Sequence, residues 1–238
     1  VKHIFSTYSA FAALKSNGSV VAWGAPARGG DTHAVQDRLT SGIVYVFSTD
    51  SAFAALTEHG GVITWGTPQF GGDMGSLASL LSTGVKRVYS TCTAFAALND
   101  NGGVVTWGDP VRGGDSCDVQ RQLQADVIHI CSTDTAFAAL KSNGSVVTWG
   151  AEQYGGNSTA VGDQLAADVQ KIFATDSAFA AVKSSGAIVT WGEALHGGDS
   201  SLVQEKIAFH STSALTDAHR TGDKVELEKV LSGAHGYS

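Results

Sequence analysis

Apolar side chains along this chain fall in short runs of five or six residues, separated by breaks rich in Gly, Asn and Ser, and the runs return in a fixed order. Runs of that length bounded by turn residues predict β-strands rather than helices. The first, Val1 to Ser6, returns as Ile43 to Ser48 and Val85 to Ser90, with Ile4, Val46 and Val88 at matching positions. The second is Ala10-Phe11-Ala12-Ala13-Leu14. Its alanines let neighbouring strands approach, while Phe11, Phe53, Phe95, Phe137 and Phe179 fill the interior, each buried ring contributing about 1.5–3 kcal/mol. In the third run Val21 and Trp23 fall on one face and Val20 and Ala22 on the other, so this strand is apolar on both sides and must be covered twice.

Ser16-Asn17-Gly18 lies between the second and third runs and is matched by Asn101-Gly102 and Asn143-Gly144, which predicts a hairpin with a primed turn. His59-Gly60 and Ser185-Gly186 keep the glycine. Beyond the third run, a link ending in Gly-Gly-Asp leads to apolar pairs four residues apart: Val35/Leu39, Leu77/Leu81, Val119/Leu123, Val161/Leu165 and Val203/Ile207. That spacing predicts a helix of about two turns. Asp31, Asp73, Asp115, Asn157 and Asp199 are placed to accept from its first unpaired amides. The same Gly-Gly-Asp lacks the alternating acidic ligands of a calcium loop and the Gly-Lys-Thr of a phosphate loop.

Tryptophan sets the period. The five tryptophans stand at 23, 65, 107, 149 and 191, each 42 residues from the next and each followed by Gly. The units are therefore 1–42, 43–84, 85–126, 127–168 and 169–210, a repeat domain whose members stack because none can bury its own apolar faces. Residues 211–238 read as a closing or capping tail. Ala208 to Leu215 resembles a shortened copy of the first two strands, and Asp223 with Glu226 forms a capping box ahead of Val225, Leu227, Val230 and Leu231.

The pattern Leu14-x-x-Asn17-Gly18-x-Val20-x-x-Trp23-Gly24 resembles the signature of the RCC1 (regulator of chromosome condensation) superfamily of β-propellers, with Ala13 and Gly29 also matching. The likeness runs from residue 1 to about 207. It departs where the family often has Gly before the second strand, here Thr7, Thr49, Thr91, Thr133 and Thr175; where it has His, here Ala10 and its counterparts; and where Gly-Gln-Leu-Gly is replaced by Gly29-Gly30-Asp31-Thr32. The arrays are also similar to the HERC-like repeats of dinoflagellates and other algae. The resemblance implies an all-β, RCC1-like propeller; the chain's five copies of 42 residues, where typical relatives have seven longer ones, make it one of five blades, with a short helix in each inter-blade connection and the tail across one face or the closure seam. An open curved repeat array is the alternative.

Only 16% of residues are charged, below the roughly 25% usual for soluble domains, so Ser, Thr, Ala and Gly must finish much of the surface. A net charge of -7 argues against a nucleic-acid partner. No apolar run reaches the roughly 20 residues of a spanning helix, and residues 1–20 lack the apolar centre of a signal peptide. Three cysteines, Cys92, Cys117 and Cys131, are too few for a disulfide framework. A reducing compartment, cytoplasmic or plastid, is expected.

Positions shared by all units serve the fold, so candidate contacts are those that differ. The first set is Arg28, Phe70, Arg112, Tyr154 and His196, just before Gly-Gly, where arginine and aromatic side chains suit interface anchoring. Packing over the adjacent helix is the structural alternative. The second is Tyr8, Asp50, Cys92, Asp134 and Asp176, an acidic patch or weak cation site, or else turn residues bonded to their own backbone. A third set, His33, Gly75, Cys117, Thr159 and Ser201, shows no ligand spacing. No His-Glu-x-x-His, zinc-finger spacing or individual Cys/His pair is present, so no catalytic residue, cofactor or metal is expected. A hydrolase built around His196 is a remote third reading. Asn17, Asn143 and Asn157 begin Asn-x-Ser/Thr patterns at positions that turns and caps already explain. The expected role is a non-catalytic interaction or structural subunit that docks a protein partner, in the form the algal resemblance suggests an accessory subunit of a photosynthetic or other organellar complex. The alternative is a multivalent carbohydrate-binding propeller using Phe70 and Tyr154.

Overall fold

The computed structural model describes residues 1–204, 206 and 207. The tail expected over 211–238, its capping box and the shortened strand copy from Ala208 lie outside the described residues.

Each unit folds as one three-stranded antiparallel meander. The strands are β1 (His3–Ser6), β2 (Ala10–Leu14) and β3 (Val20–Gly24); β4 (Ile43–Ser48), β5 (Ala52–Thr57) and β6 (Val62–Gly66); β7 (Val85–Ser90), β8 (Ala94–Asn99) and β9 (Val104–Gly108); β10 (Val127–Ser132), β11 (Ala136–Lys141) and β12 (Val146–Gly150); β13 (Val169–Ala174), β14 (Ala178–Lys183) and β15 (Ile188–Gly192). The register opposes the Phe of each middle strand to the Trp of the third, as in Phe53↔Trp65, and the two rings stack 5.2 Å apart. A bulge lies near the start of β4, β7, β10 and β13.

The double cover that the third strand requires comes from its neighbours. Four apolar clusters lie between successive sheets, each joining one face of a unit to the opposite face of the next. In the first, Ala10, Ala12, Leu14 and Val20 meet Val46, Phe53, Ala55 and Trp65. Leu39, Leu81, Leu123 and Leu165 from the links are buried in the same layers.

Among the described residues the ring does not close. Five separate sheets follow one another as an open curved array, which corrects the expectation of a five-bladed closed propeller. In unit 1 Ile4, Phe11 and Trp23 are 59%, 46% and 46% exposed, whereas their counterparts Val46, Phe53 and Trp65 in unit 2 are 0%, 0% and 4% exposed. At the other end, Gly197 is exposed where Gly29, Gly71, Gly113 and Gly155 are buried. The physical reason is angular. How many wedges complete a turn depends on the angle between neighbours, and the described faces of units 1 and 5 do not meet.

Two local expectations also change. The hairpins are three-residue loops, a type I turn followed by a left-handed glycine, rather than primed turns. Lys15 N donates to Ser19 O at 2.8 Å and Gly18 N to Lys15 O at 3.0 Å, with Gly18 at φ 76°. Asn17 keeps ordinary backbone geometry and its Oδ1 accepts from Ser19 N at 3.1 Å. The two-turn helices are mainly 3-10 segments, such as His33–Leu39 and Gly75–Ser79; an α-helical turn appears at Gly162–Leu165. Segments this short gain little from α-helical cooperativity. Asp31 Oδ1 accepts from His33 N at 2.8 Å and Asp199 Oδ1 from Ser201 N at 2.9 Å, from one position ahead of the formal cap.

The threonine repeated before each middle strand carries a definite load. Thr91 Oγ1 accepts from Ala94 N at 3.0 Å and donates to Arg112 O at 3.1 Å, tying the inner turn to the outer link, and the other four units repeat the arrangement. Thr91→Val preserves shape but strands the buried Ala94 amide and the partly buried Arg112 carbonyl. The expected result is a loss of about 1–3 kcal/mol in urea denaturation with faster exchange of the Ala94 amide; unchanged stability and protection would refute this role.

Candidate functional site

The two variable sets meet at one end of the array. The inner turns carrying Tyr8, Asp50, Cys92, Asp134 and Asp176 are joined by a run of backbone bonds: Tyr8 N to Asp50 O at 3.0 Å, Asp50 N to Cys92 O at 2.8 Å, Cys92 N to Asp134 O at 2.8 Å and Asp134 N to Asp176 O at 2.9 Å. Each unit thus gives three consecutive residues, ending in the variable one, to the lining of a shared axial depression of about 460 Å³. The preceding threonine of each unit, through its bond to the carbonyl of Arg28, Phe70, Arg112, Tyr154 or His196, holds the first set beside the second.

A turn that the sequence reading treated only as link presents the first set. Pro26–Arg28, Pro68–Phe70, Pro110–Arg112, Glu152–Tyr154 and Ala194–His196 are single 3-10 turns, each ended by a left-handed glycine. All three prolines of the chain open such a turn, where their fixed φ and missing N–H are harmless. Proline at the start and glycine at the stop are the signal that could have revealed it. Arg28, Arg112 and His196 are exposed, and Phe70 and Tyr154 half-buried. His196 Nδ1 lies 2.8 Å from Glu193 Oε2, and Arg112 Nε 3.8 Å from Asp109 Oδ2.

The inner residues lie close enough to shift one another's ionisation. Burial, then the Asp134 charge, raises the Asp50 carboxyl above its ordinary range, while its bond with Cys92 and the Arg112 and Arg28 guanidinium groups act the other way. Burial first, followed by Asp50 and Asp134, pushes the Cys92 thiol up to about 12. The Asp50 charge is the main cause raising the Tyr8 phenol. The Asp50 carboxyl is thus engaged with a neighbouring unit rather than only with its own turn.

Cys92, Cys117 and Cys131 are free thiols. Burial raises Cys131 to about 11, while exposed Cys117 is raised by its bond to Asp115. Since the thiolate is the reactive form, iodoacetamide at mildly alkaline pH should label Cys117 before Cys92 or Cys131, with Cys92 catching up only as the pH approaches about 12. Peptide mass spectrometry would read the order, and early labelling of Cys92 would contradict the half-buried, acid-flanked setting.

The first strands also bring together rings that the sequence reading missed. Phe5 packs edge-on to Tyr45 at 4.9 Å, Tyr45 lies 4.8 Å from Phe47, and Tyr89 meets His129 at 5.8 Å with the Arg87 guanidinium 5.3 Å above Tyr89. The available signal was variation at His3, Tyr45, Arg87, His129 and Lys171, which interrupts otherwise similar strands. His33, Gly75, Cys117, Thr159 and Ser201 stand at the starts of separate links. Among the described residues no group of three or more His, Cys, Asp or Glu side chains could hold a metal ion, and no helix is long and apolar enough to cross a membrane.

No family model and no curated protein matches the chain. Among solved structures it is similar to Prp20p from Saccharomyces cerevisiae, a structure described with its binding to Gsp1p and histones, at 17% identity and a TM-score of 0.51, over 79% of this chain and 56% of that one. Human WBSCR16 is similar at 18% identity and 0.51, over 82% and 63%. Yeast RCC1 (Prp20) bound to Kap60 is similar at 19% identity and 0.50, over 82% and 56%. The chain therefore matches less than two thirds of each of these structures. The shared property is the fold: the chain has an RCC1/Prp20p-like propeller-repeat architecture.

Proposed function

We propose that this chain is a non-catalytic interaction module that docks a protein partner at the axial end of its array. The observation that carries the reading is the convergence of both variable sets on that end, each unit contributing one rim and one inner residue through the same threonine bridge. A rigid, repeated frame with differing side chains supports recognition without new backbone geometry. Arginine beside half-buried aromatic rings supplies anchors of the kind that dominate protein interfaces. Asp134 and Asp176 add exposed carboxylates beside them.

The test is affinity purification from the native source followed by mass spectrometry, repeated with Arg112→Glu and with Tyr154→Ala. The reading expects one defined complex whose recovery falls at least about tenfold in both variants. Recovery of the same complex at full yield in both would remove the axial end from the interface. A finer form places the complex in an organelle, as an accessory subunit of a photosynthetic assembly; its support is the likeness of the repeats alone, and the identity of the co-purified proteins tests it.

The second reading is a carbohydrate-binding module. The polar axial depression and the half-buried rings of Phe70 and Tyr154 favour it, since a sugar needs an aromatic face beside hydrogen-bonding groups. Glycan-array binding lost in Phe70→Ala and Tyr154→Ala, without a co-purified protein, would decide for it.

A further inference from the structure

The four internal junctions of the array share one set of parts. The indole Nε1–H of each later unit donates to the first glycine carbonyl of the unit before: Trp65 to Gly29 at 2.9 Å, Trp107 to Gly71 at 3.1 Å, Trp149 to Gly113 at 3.0 Å and Trp191 to Gly155 at 3.0 Å. The stacked phenylalanine fills the space that a Cβ on that glycine would need; at Gly113 it would sit 2.6 Å from the Phe137 ring.

The ends carry the two halves separately. Unit 1 holds the donor half: Phe11 and Trp23 keep their stack at 5.5 Å and are exposed, and among the described residues no carbonyl receives the Trp23 indole. Unit 5 holds the acceptor half. Gly197 is exposed, keeps a φ of 105° like its counterparts, and among the described residues has no atom within 4 Å of where a Cβ would stand.

We propose that a second copy of this chain completes both halves, with unit 5 of one copy seated on unit 1 of the next through a Trp23–Gly197 junction. The occupant follows from continuity with an interface the chain already forms four times between its own units. Both halves already have their bound geometry, which lowers the ordering cost of association. The uncovered Ile4, Phe11, Val21 and Trp23 give the contact an apolar centre. Because the two halves differ, the contact is heterologous, and copies add in one direction instead of pairing about a two-fold axis.

Sedimentation velocity of the 238-residue chain across a wide concentration range tests this. The average mass should rise with concentration, and Trp23→Arg and Gly197→Ala should each weaken association by roughly thirtyfold, the loss expected of a central aromatic anchor. An equimolar mixture of the two variants should recover association but stop at dimers, since only one functional junction can form. Acrylamide quenching supplies a readout that needs no variant: Trp23 should be accessible in dilute protein and shielded in concentrated protein. A wild-type chain that stays monomeric overturns the proposal, as does association indifferent to both variants or a mixture that forms no dimer. Trp23 already shielded in dilute monomer also overturns it, because residues 208–238 or another part of the same chain would then hold the face.

Discussion

Trp107→Ala is expected to lower the unfolding free energy by about 3–5 kcal/mol, while Trp23→Ala at the equivalent position of unit 1 costs about 1 kcal/mol or less. Trp107 is 3% exposed, stacks on Phe95 at 5.2 Å and donates to Gly71 O at 3.1 Å. Its removal opens a void between units 2 and 3 and leaves a carbonyl without its donor. Trp23 has the same sequence surroundings but is already half in solvent, so truncation removes much less from the interior. Urea denaturation in dilute protein distinguishes the positions. In a repeat array, stability is approximately unit terms plus neighbour terms, so weakening one junction should also broaden the transition. Equal losses at the two tryptophans would mean that the units do not support one another as described.

Gly113→Ala should cost about 3 kcal/mol, against about 1 kcal/mol for Gly197→Ala. Both glycines occupy the left-handed region, at φ 102° and 105°, so the backbone penalty of a side chain is common to both. They differ in what lies ahead: the new methyl at Gly113 enters the Phe137 ring, whose own burial is complete, whereas Gly197 meets none of the described residues. Subtracting one loss from the other isolates the cost of forcing two units apart. Thermal melts of dilute samples would measure it, and a Gly197 variant as unstable as the Gly113 variant would show that strain alone governs the position.

Much of this molecule was legible along the chain. Trp23 and its four successors marked equivalent units, and the two apolar faces of Val20 to Trp23 demanded neighbours on both sides. Asp31 and its counterparts announced the amides they receive. The hairpin was legible as a hairpin, but its turn type was not, because Asn17 uses its side chain on Ser19 and leaves the left-handed conformation to Gly18. The candidate site was half legible. Variation between units picked out Arg28, Asp50 and their counterparts, yet nothing in their spacing said that one threonine would bring the two sets together. The Phe5–Tyr45–Phe47 contacts were missed because each ring reads as an ordinary strand residue until adjacent sheets bring them into contact.

Local pattern alone determined the strands, the hairpin between the second and third strand of a unit and the need for stacking, since alternation and turn chemistry act over a few residues. Whether the stack closes was decided only in three dimensions. The angle at each junction accumulates from unit to unit, and among the described residues Trp23 at one end and Gly197 at the other lack the neighbour that every internal counterpart has.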